Sequence, residues 1–300
     1  MANKFSFDHA AFHFMRTNGH GGFLGPFIIA YLIAAAALTA TNFGVQHLLF
    51  GSFNGLAELL AGGVIPSNQF AAIGAYYLFL LIISAVFWAM FEAAVQRRYV
   101  LDEGFSIKFS GDELRLLVVG LLWFLAFLGG YLLFAFVLLL PSIAASAAGA
   151  GTVAVALMFI TVLGYFCGWI WCAVKLSAAS ALTIRDKKIK FLDSWGATRG
   201  RFWTLLAAYL VLAIIALLIY FGLLGLVFGV TFGGEFVLSD PETFMMLSNP
   251  QTLGAMFFVY FLLMTSVQAL LLYIWAGPAA LIAKTDPRVG GAPNVADEFD

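Results

Sequence analysis

Residues 203–232 read WTLLAAYLVLAIIALLIYFGLLGLVFGVTF, an uncharged run that follows Arg199-Gly200-Arg201-Phe202. As a helix this run is about 45 Å long at 1.5 Å per residue, more than the roughly 30 Å of hydrocarbon in a bilayer. Hydrocarbon offers the backbone no hydrogen-bond partner, so a stretch of that length closes its bonds internally as an α-helix. Five more segments read the same way: 26–50, 70–97, 114–140, 153–180 and 253–283. Over the 300 residues, hydrophobic types make up 63% and charged types 10%, with mean hydropathy +0.98. A soluble domain carries about 25% charged residues. The expectation is an all-α polytopic membrane protein with six transmembrane helices. The connections are too short for a separate soluble domain, so residues 1–300 read as one membrane domain.

The charges give the threading. The chain has 15 Lys and Arg residues, and none lies in the connections 51–69, 141–152 and 233–252. They occupy the two tails, the other two connections and the adjoining span ends (Arg97, Arg115 and Lys284), with Lys175 deeper inside a span. An excess of Lys and Arg marks the cytoplasmic side, so both termini are expected in the cytoplasm. The opposite loops hold only acids: Glu58, Glu235, Asp240 and Glu242. No basic stripe points to nucleic acid. The expected partner is the lipid bilayer. The cytoplasmic cations serve topology, with an anionic lipid at that face as the alternative reading. Nothing in the sequence names a protein partner or a cofactor. Cys167 and Cys172 stand about 140° apart around one helix, which excludes a local disulfide and suits packing thiols. The first span follows a long polar lead and carries Thr39, Thr41, Asn42, Gln46 and His47 in its second half. That is the pattern of a retained helix, since a cleaved signal has a charged start directly before a short apolar core.

The six spans also read as three helical hairpins in series. Each even-numbered span closes on Ala, an aliphatic residue, two spacers and a cation: Ala94-Val95 to Arg98, Ala181-Leu182 to Arg185, Ala280-Leu281 to Lys284. Asp102, Asp186 and Asp286 follow. A cation suits the negative C-terminal end of a helix and anchors it at the interface. Odd-numbered spans are preceded by segments in which aromatics and charges interleave. Ser110-Gly111-Asp112-Glu113 reads as a capping box, and Phe105, Ile107 and Phe109 alternate with polar residues as in an extended stretch. Phe191, Trp195, Thr198 and Phe202 share one helical face, with Lys190, Asp193, Ser194, Ala197 and Arg201 opposite. The spacing predicts a helix in the headgroup plane, with Phe191, Trp195, Arg199, Arg201 and Trp203 as interfacial residues. Phe5 to Phe23 is a poorer version of the same pattern.

The stretch from Asp193-Ser194-Trp195 through Thr198-Arg199-Gly200-Arg201-Phe202-Trp203 to Leu206 resembles the segment before a membrane helix in a group of bacterial six-helix proteins. That group is related to the membrane domain of glycerophosphodiester phosphodiesterases and to YciC-like membrane proteins. Gly111-Asp112-Glu113-Leu114-Arg115 resembles a run in uncharacterised six-helix inner-membrane proteins of alphaproteobacteria. The resemblance covers about a tenth of the chain closely and implies a six-span architecture in a bacterial inner membrane. It implies no catalytic residue, and the phosphodiesterase domain of some relatives has no counterpart here.

Two ionisable residues stand within apolar helix, where a charge costs about 2.5–3.5 kcal/mol at the bilayer centre. They are Glu92 and Lys175, each one turn after a tryptophan, Trp88 and Trp171. The expectation is that they face the bundle interior and pair, or line a polar cavity open to the cytoplasm. The alternative is a helix-fixing pair or a snorkelled lysine. Gln268 reads as an interhelical hydrogen bond, and Pro278 after Gly277 predicts a kink in the last helix. Gly164/Gly168 and Gly225/Gly229/Gly233 have GxxxG spacing and predict close packing between helices of the chain, with dimerisation as the alternative. His9, His13 and His20 with Asp8 lack the spacing of a metal site. No HExxH, GxSxG or GxxxxGK[ST] occurs.

Without a catalytic motif, the functional expectation is a non-enzymatic accessory, scaffold or envelope-homeostasis component of the membrane. The alternative is a small transporter or channel for a lipid or small solute, in which Glu92, Lys175, Gln268 and Pro278 converge on one cavity. A lipid-headgroup enzyme with its metal in the acidic loop at Glu235, Asp240 and Glu242 is the weakest reading.

Overall fold

The computed structural model describes residues 5–17, 20–52, 61, 69–232 and 250–286. The loop acids Glu58, Glu235, Asp240 and Glu242, together with Gly19, Gly233 and the C-terminal tail, lie outside the described residues. Among those described the chain is helical and has no strand. Its helices are α1 (Phe7–Ala11), α2 (His13–Arg16), α3 (His20–Phe50), α4 (Phe70–Leu101), α5 (Gly111–Ala147), α6 (Gly151–Leu176), α7 (Ala179–Asp186), α8 (Asp193–Ala197), α9 (Phe202–Phe232) and α10 (Pro250–Thr285). Six stretches are long and apolar enough to cross a membrane, with α6 and α7 together making one of them. The protein is a multi-pass membrane protein.

Three boundaries differ from the sequence reading, and each turns on a residue that normally breaks helices. Helix α3 begins at His20 and runs through Pro26. Proline there removes one backbone bond, but Phe23 and Phe27 on the same segment are buried against Phe91, Phe105 and Tyr273. Tertiary burial of two phenylalanines outweighs one lost bond. Helix α5 passes through Pro141 to Ala147, so the expected connection 141–152 shrinks to residues 148–150. Alanine dominates after the proline and is the best helix former, and Gly149 at φ 72° makes the reversal. Helix α10 starts at Pro250, three residues before the expected span, and runs on through Pro278, which is buried within it. The preceding Gly277 is where α2 rests: a Cβ there would touch the Phe14 nitrogen at 3.5 Å and the His13 Cβ at 3.6 Å. One interruption has no counterpart in the sequence reading. The expected span 153–180 ends as α6 at Leu176 and resumes as α7 at Ala179, with Ser177 Oγ donating to the Val174 carbonyl between them.

Packing is graded along the bundle. Apart from Tyr76, Val227 and Met264, the buried apolar residues gather toward the charged end, among them Phe23, Phe27, Ala89–Tyr99, Leu116, Val119, Val174–Ile184, Leu205–Ala216 and Val267–Ala283. Their contacts are made largely by alanine. Ala89, Ala93, Ala178, Ala179, Ala181, Ala269, Ala279 and Ala283 fill the helix interfaces and let the backbones approach. The GxxxG glycines do not take this role. Around Gly164, Gly168, Gly225 and Gly229 there is open space where a Cβ would stand. Small residues permit close approach without compelling it, and the bundle packs along the opposite helix faces. The uncharged halves expose their large apolar side chains, as a surface covered by lipid does. There α5 and α6 pair through Phe134 on Tyr165 at 4.3 Å and Phe127 on Trp169 at 5.5 Å. Asn42 and Gln46 close on Tyr76, which donates at 2.7 Å to Asn42 and accepts at 2.8 Å from Gln46.

The charged end is cross-braced. The predicted capping box is present: Glu113 Oε2 accepts from the Ser110 amide at 2.8 Å and from its hydroxyl at 2.6 Å. The other Glu113 oxygen pairs with Arg97 at 2.5 Å, joining α4 to α5, and the two side chains are 0% and 3% exposed. Arg97 also donates to the Ser106 carbonyl at 3.0 Å. Asp112 holds Lys187 at 2.7 Å, Arg185 donates to the Ala283 carbonyl, and Arg201 donates to Thr285 Oγ1 at 2.8 Å. The segment before α9 differs from the predicted headgroup-plane helix. Only Asp193–Ala197 is helical, and Ser194, Ala197 and Thr198 all point inward. Ser194 and Thr198 donate to the Lys175 carbonyl at 3.0 and 3.2 Å, capping the orphan end of α6. Phe191 is buried edge-on to Trp123 at 5.7 Å, so it belongs to the core and not to the interface. Trp195, Arg199 and Trp203 are exposed at this end, and Arg201 lies over the Phe5 ring at 4.9 Å.

Two predictions follow from this end of the bundle. Glu113→Ala removes a cap and strands a buried guanidinium, so it lowers stability by about 3–5 kcal/mol in detergent unfolding, and the double variant Arg97→Met/Glu113→Leu regains most of that loss. His13, stacked on Tyr99 at 5.6 Å, has its pKa lowered from 6.5 to about 4 by burial, with Lys284 adding and Asp102 opposing. The folded imidazole therefore stays neutral where the unfolded one takes up a proton. Docking of α2 is at full strength above pH 6.5 and weakens as pH falls toward 4. Hydrogen exchange over residues 5–17, corrected for its intrinsic pH dependence, should accelerate from pH 7 to about 4.5, and His13→Phe should abolish the acceleration.

Candidate intramembrane site

Glu92 is carried by α4 at a point where that helix is buried on all sides, and its side chain is 8% exposed. Gln96, one turn further on, donates through Nε2 to Glu92 Oε1 at 2.8 Å. This i,i+4 bond holds both head groups on one face of the helix. That face looks into a cavity of about 480 Å³. Trp88 on α4, Trp123 on α5, Val174 on α6, Tyr209 on α9 and Trp275 on α10 form its walls, so five helices meet there. The volume lies in the range of ordinary ligand pockets. Trp88 reaches its place because position 120 is glycine: a Cβ there would stand 2.9 Å from the indole Cζ3.

The polar groups are few. Gln96 is 1% exposed, and its Oε1 has no hydrogen-bond partner. Among the described residues no cation pairs with Glu92, whose hydrogen-bond donors come from Gln96 and the Ser180 hydroxyl. The cavity thus presents a carboxyl group and an amide oxygen in otherwise aromatic and aliphatic surroundings.

The other expected site residues do not join it. Lys175 follows the wall residue Val174 by one position, which turns it about 100° away. Its ammonium lies 5.9 Å over the Phe202 ring, toward the charged end, and does not meet Glu92. The expected pairing of Glu92 with Lys175 is therefore not formed; the long stem of the lysine reaches the charged end more easily than the interior. Trp171, the partner aromatic of Lys175, packs against Trp195 at 4.6 Å, away from the cavity. Gln268 lines a separate cavity of about 340 Å³ with Tyr31, Thr39, Tyr220, Tyr260 and Thr265. Pro278 lines neither, although its neighbours Ala276 and Ala279 border the first. The four residues do not converge.

Gln96 was legible as an amide one turn from an intramembrane acid, but it also fits the spacer before Arg97 that ends the span. Trp123, Tyr209 and Trp275 lie on three other helices, and no local pattern ties them to Glu92. Cys167 is exposed, Cys172 is half-buried, and both are free thiols. Among the described residues no three His, Cys, Asp or Glu side chains come together. No family model, curated protein or solved structure matches the chain.

Position 120 provides a test of how the cavity is built. Gly120→Leu should displace the Trp88 ring, alter tryptophan emission and destabilise the protein by about 1–3 kcal/mol. Gly129→Ala, where open space surrounds the glycine, should change neither. Adding Trp88→Ala to Gly120→Leu should restore part of the stability.

Proposed function

We propose that the protein is a non-enzymatic component of a bacterial inner membrane, with both termini in the cytoplasm, acting as an accessory or scaffold in envelope upkeep. The observation that carries this reading is the braced charged end. Arg97, Arg185 and Arg201 each reach across to another segment and hold the helix ends as a single frame. Such a frame suits a part that keeps its shape while other molecules dock on it. Kinship with the six-helix relatives of the phosphodiesterase membrane domain belongs to the same proposal and rests on the two motifs at the starts of α5 and α9. The purified protein should turn over neither lipid nor peptide. Robust catalysis that a point substitution abolishes would sink the reading.

A second reading, a small transporter or channel for a lipid or solute, loses the convergence expected of Lys175, Gln268 and Pro278 and keeps one observation in its favour, the cavity at Glu92. Flux through proteoliposomes that depends on Glu92 would promote it over the first.

The threading has its own check. A cysteine at Lys108 should react with an impermeant maleimide only when the cytoplasmic face is opened, and one at Ala148 should react in intact spheroplasts. The reverse pattern would overturn the assigned sidedness.

A further inference from the structure

We infer that the Glu92–Gln96 cavity binds an amphiphile bearing a protonated amine. Three observations lead there, and none of them requires that the protein scaffold or transport anything.

The first is the chemistry of the open groups. Gln96 gives its amide N–H to Glu92 and keeps a buried oxygen without a partner. What the pair lacks is a donor, and an ammonium brings three. The second is charge. A buried carboxylate without a cation is costly, and among the described residues Glu92 has no ion pair, while Lys175 is turned away to Phe202. A ligand cation would supply the missing charge. The third is the wall. Trp88, Trp123, Trp275 and Tyr209 line the same cavity as the acid, and electron-rich ring faces attract ammonium groups.

The route in and the body of the ligand follow from the same walls. Ile170, Leu210 and Trp275 line the cavity and are also exposed on the lipid-covered surface, so the cavity opens sideways between α6 and α9. Glu92 stands ten residues before the cap Asp102, about 15 Å along the helix from the charged end. A molecule entering from lipid at that depth needs an apolar body, and about 480 Å³ admits an alkyl chain with its amine. Two sources share this chemistry: an aminophospholipid that lends its headgroup, and a free lipophilic amine.

The test uses the purified full chain in maltoside micelles with two probes of equal length, dodecylamine and dodecanol, near neutral pH. Tryptophan emission and native mass spectrometry report binding. Saturable one-to-one binding of dodecylamine is expected, at least tenfold tighter than dodecanol. Glu92→Gln, which keeps the shape and the hydrogen bond, should weaken the amine at least tenfold and leave the alcohol unchanged. Gln96→Met should weaken the amine several-fold and keep the preference for it. Equal binding of amine and alcohol by the wild-type chain overturns the inference, whatever the variants do, and so does full amine affinity in folded Glu92→Gln. Nanodiscs of phosphatidylethanolamine with phosphatidylglycerol, compared with phosphatidylglycerol alone, separate the sources. One retained phosphatidylethanolamine that Glu92→Gln loses assigns the site to the lipid. An empty site from the same bilayer, with dodecylamine binding intact, assigns it to a free amine.

Discussion

The pairing of Arg97 with Glu113 is the contact on which the charged end depends. One carboxylate does two jobs: an oxygen closes the N-terminal cap of α5 on Ser110, and the other neutralises the guanidinium at the end of α4. Neither charge has water to fall back on, so the two helix ends are held in one relation to each other. From there the bracing spreads. Asp112, beside Glu113, holds Lys187, and Arg185 crosses to the end of α10. Removing Glu113 alone would leave the Arg97 guanidinium at the end of α4 and the Ser110 cap of α5 without their shared acceptor.

That bracing explains why packing is graded along the bundle. In hydrocarbon the association of helices gains little from apolar burial, because lipid is as apolar as the neighbouring helix. Close contact then needs small residues, polar bonds or both. The charged end has both, with alanine at the helix faces and arginine at the ends. The uncharged halves have large apolar side chains facing outward, held locally by aromatic pairs between α5 and α6. The cavity sits where dense packing gives way, walled by tryptophans too large to interlock as alanine does. A charged residue placed at that border meets protein on one side and space on the other, which is the position Glu92 occupies.

The parts of the fold that could be read along the chain were those governed by local rules. Span lengths follow from backbone hydrogen bonding in hydrocarbon, and the capping box at Ser110 follows from one turn of helix. Where the reading went astray, a local signal was overridden from a distance. Pro26 and Pro141 did not end their helices, Ser177 did interrupt one, and Ser194 turned inward to cap α6 against the polarity of its own segment. Phe191 has the same cause: its aromatic ring suits an interface, but Trp123 on another helix offered a better partner. The site was half legible. Glu92 stood out because a carboxylate in apolar helix is expensive, and the same rule picked out Lys175, whose flexible stem gave it a way out.

The sequence by itself determined that the chain is helical, that six stretches are fit to span a membrane, and that its cations gather at one end. These depend on composition and on contacts within a few residues, which the solvent forces regardless of packing. Only the tertiary structure decided that Glu92 joins Gln96 and three tryptophans and does not join Lys175, Gln268 or Pro278. That choice depends on how five helices are rotated about their own axes. A rotation of one residue, about 100°, moves a side chain from the interior to the lipid, and nothing in apolar sequence of this kind specifies it.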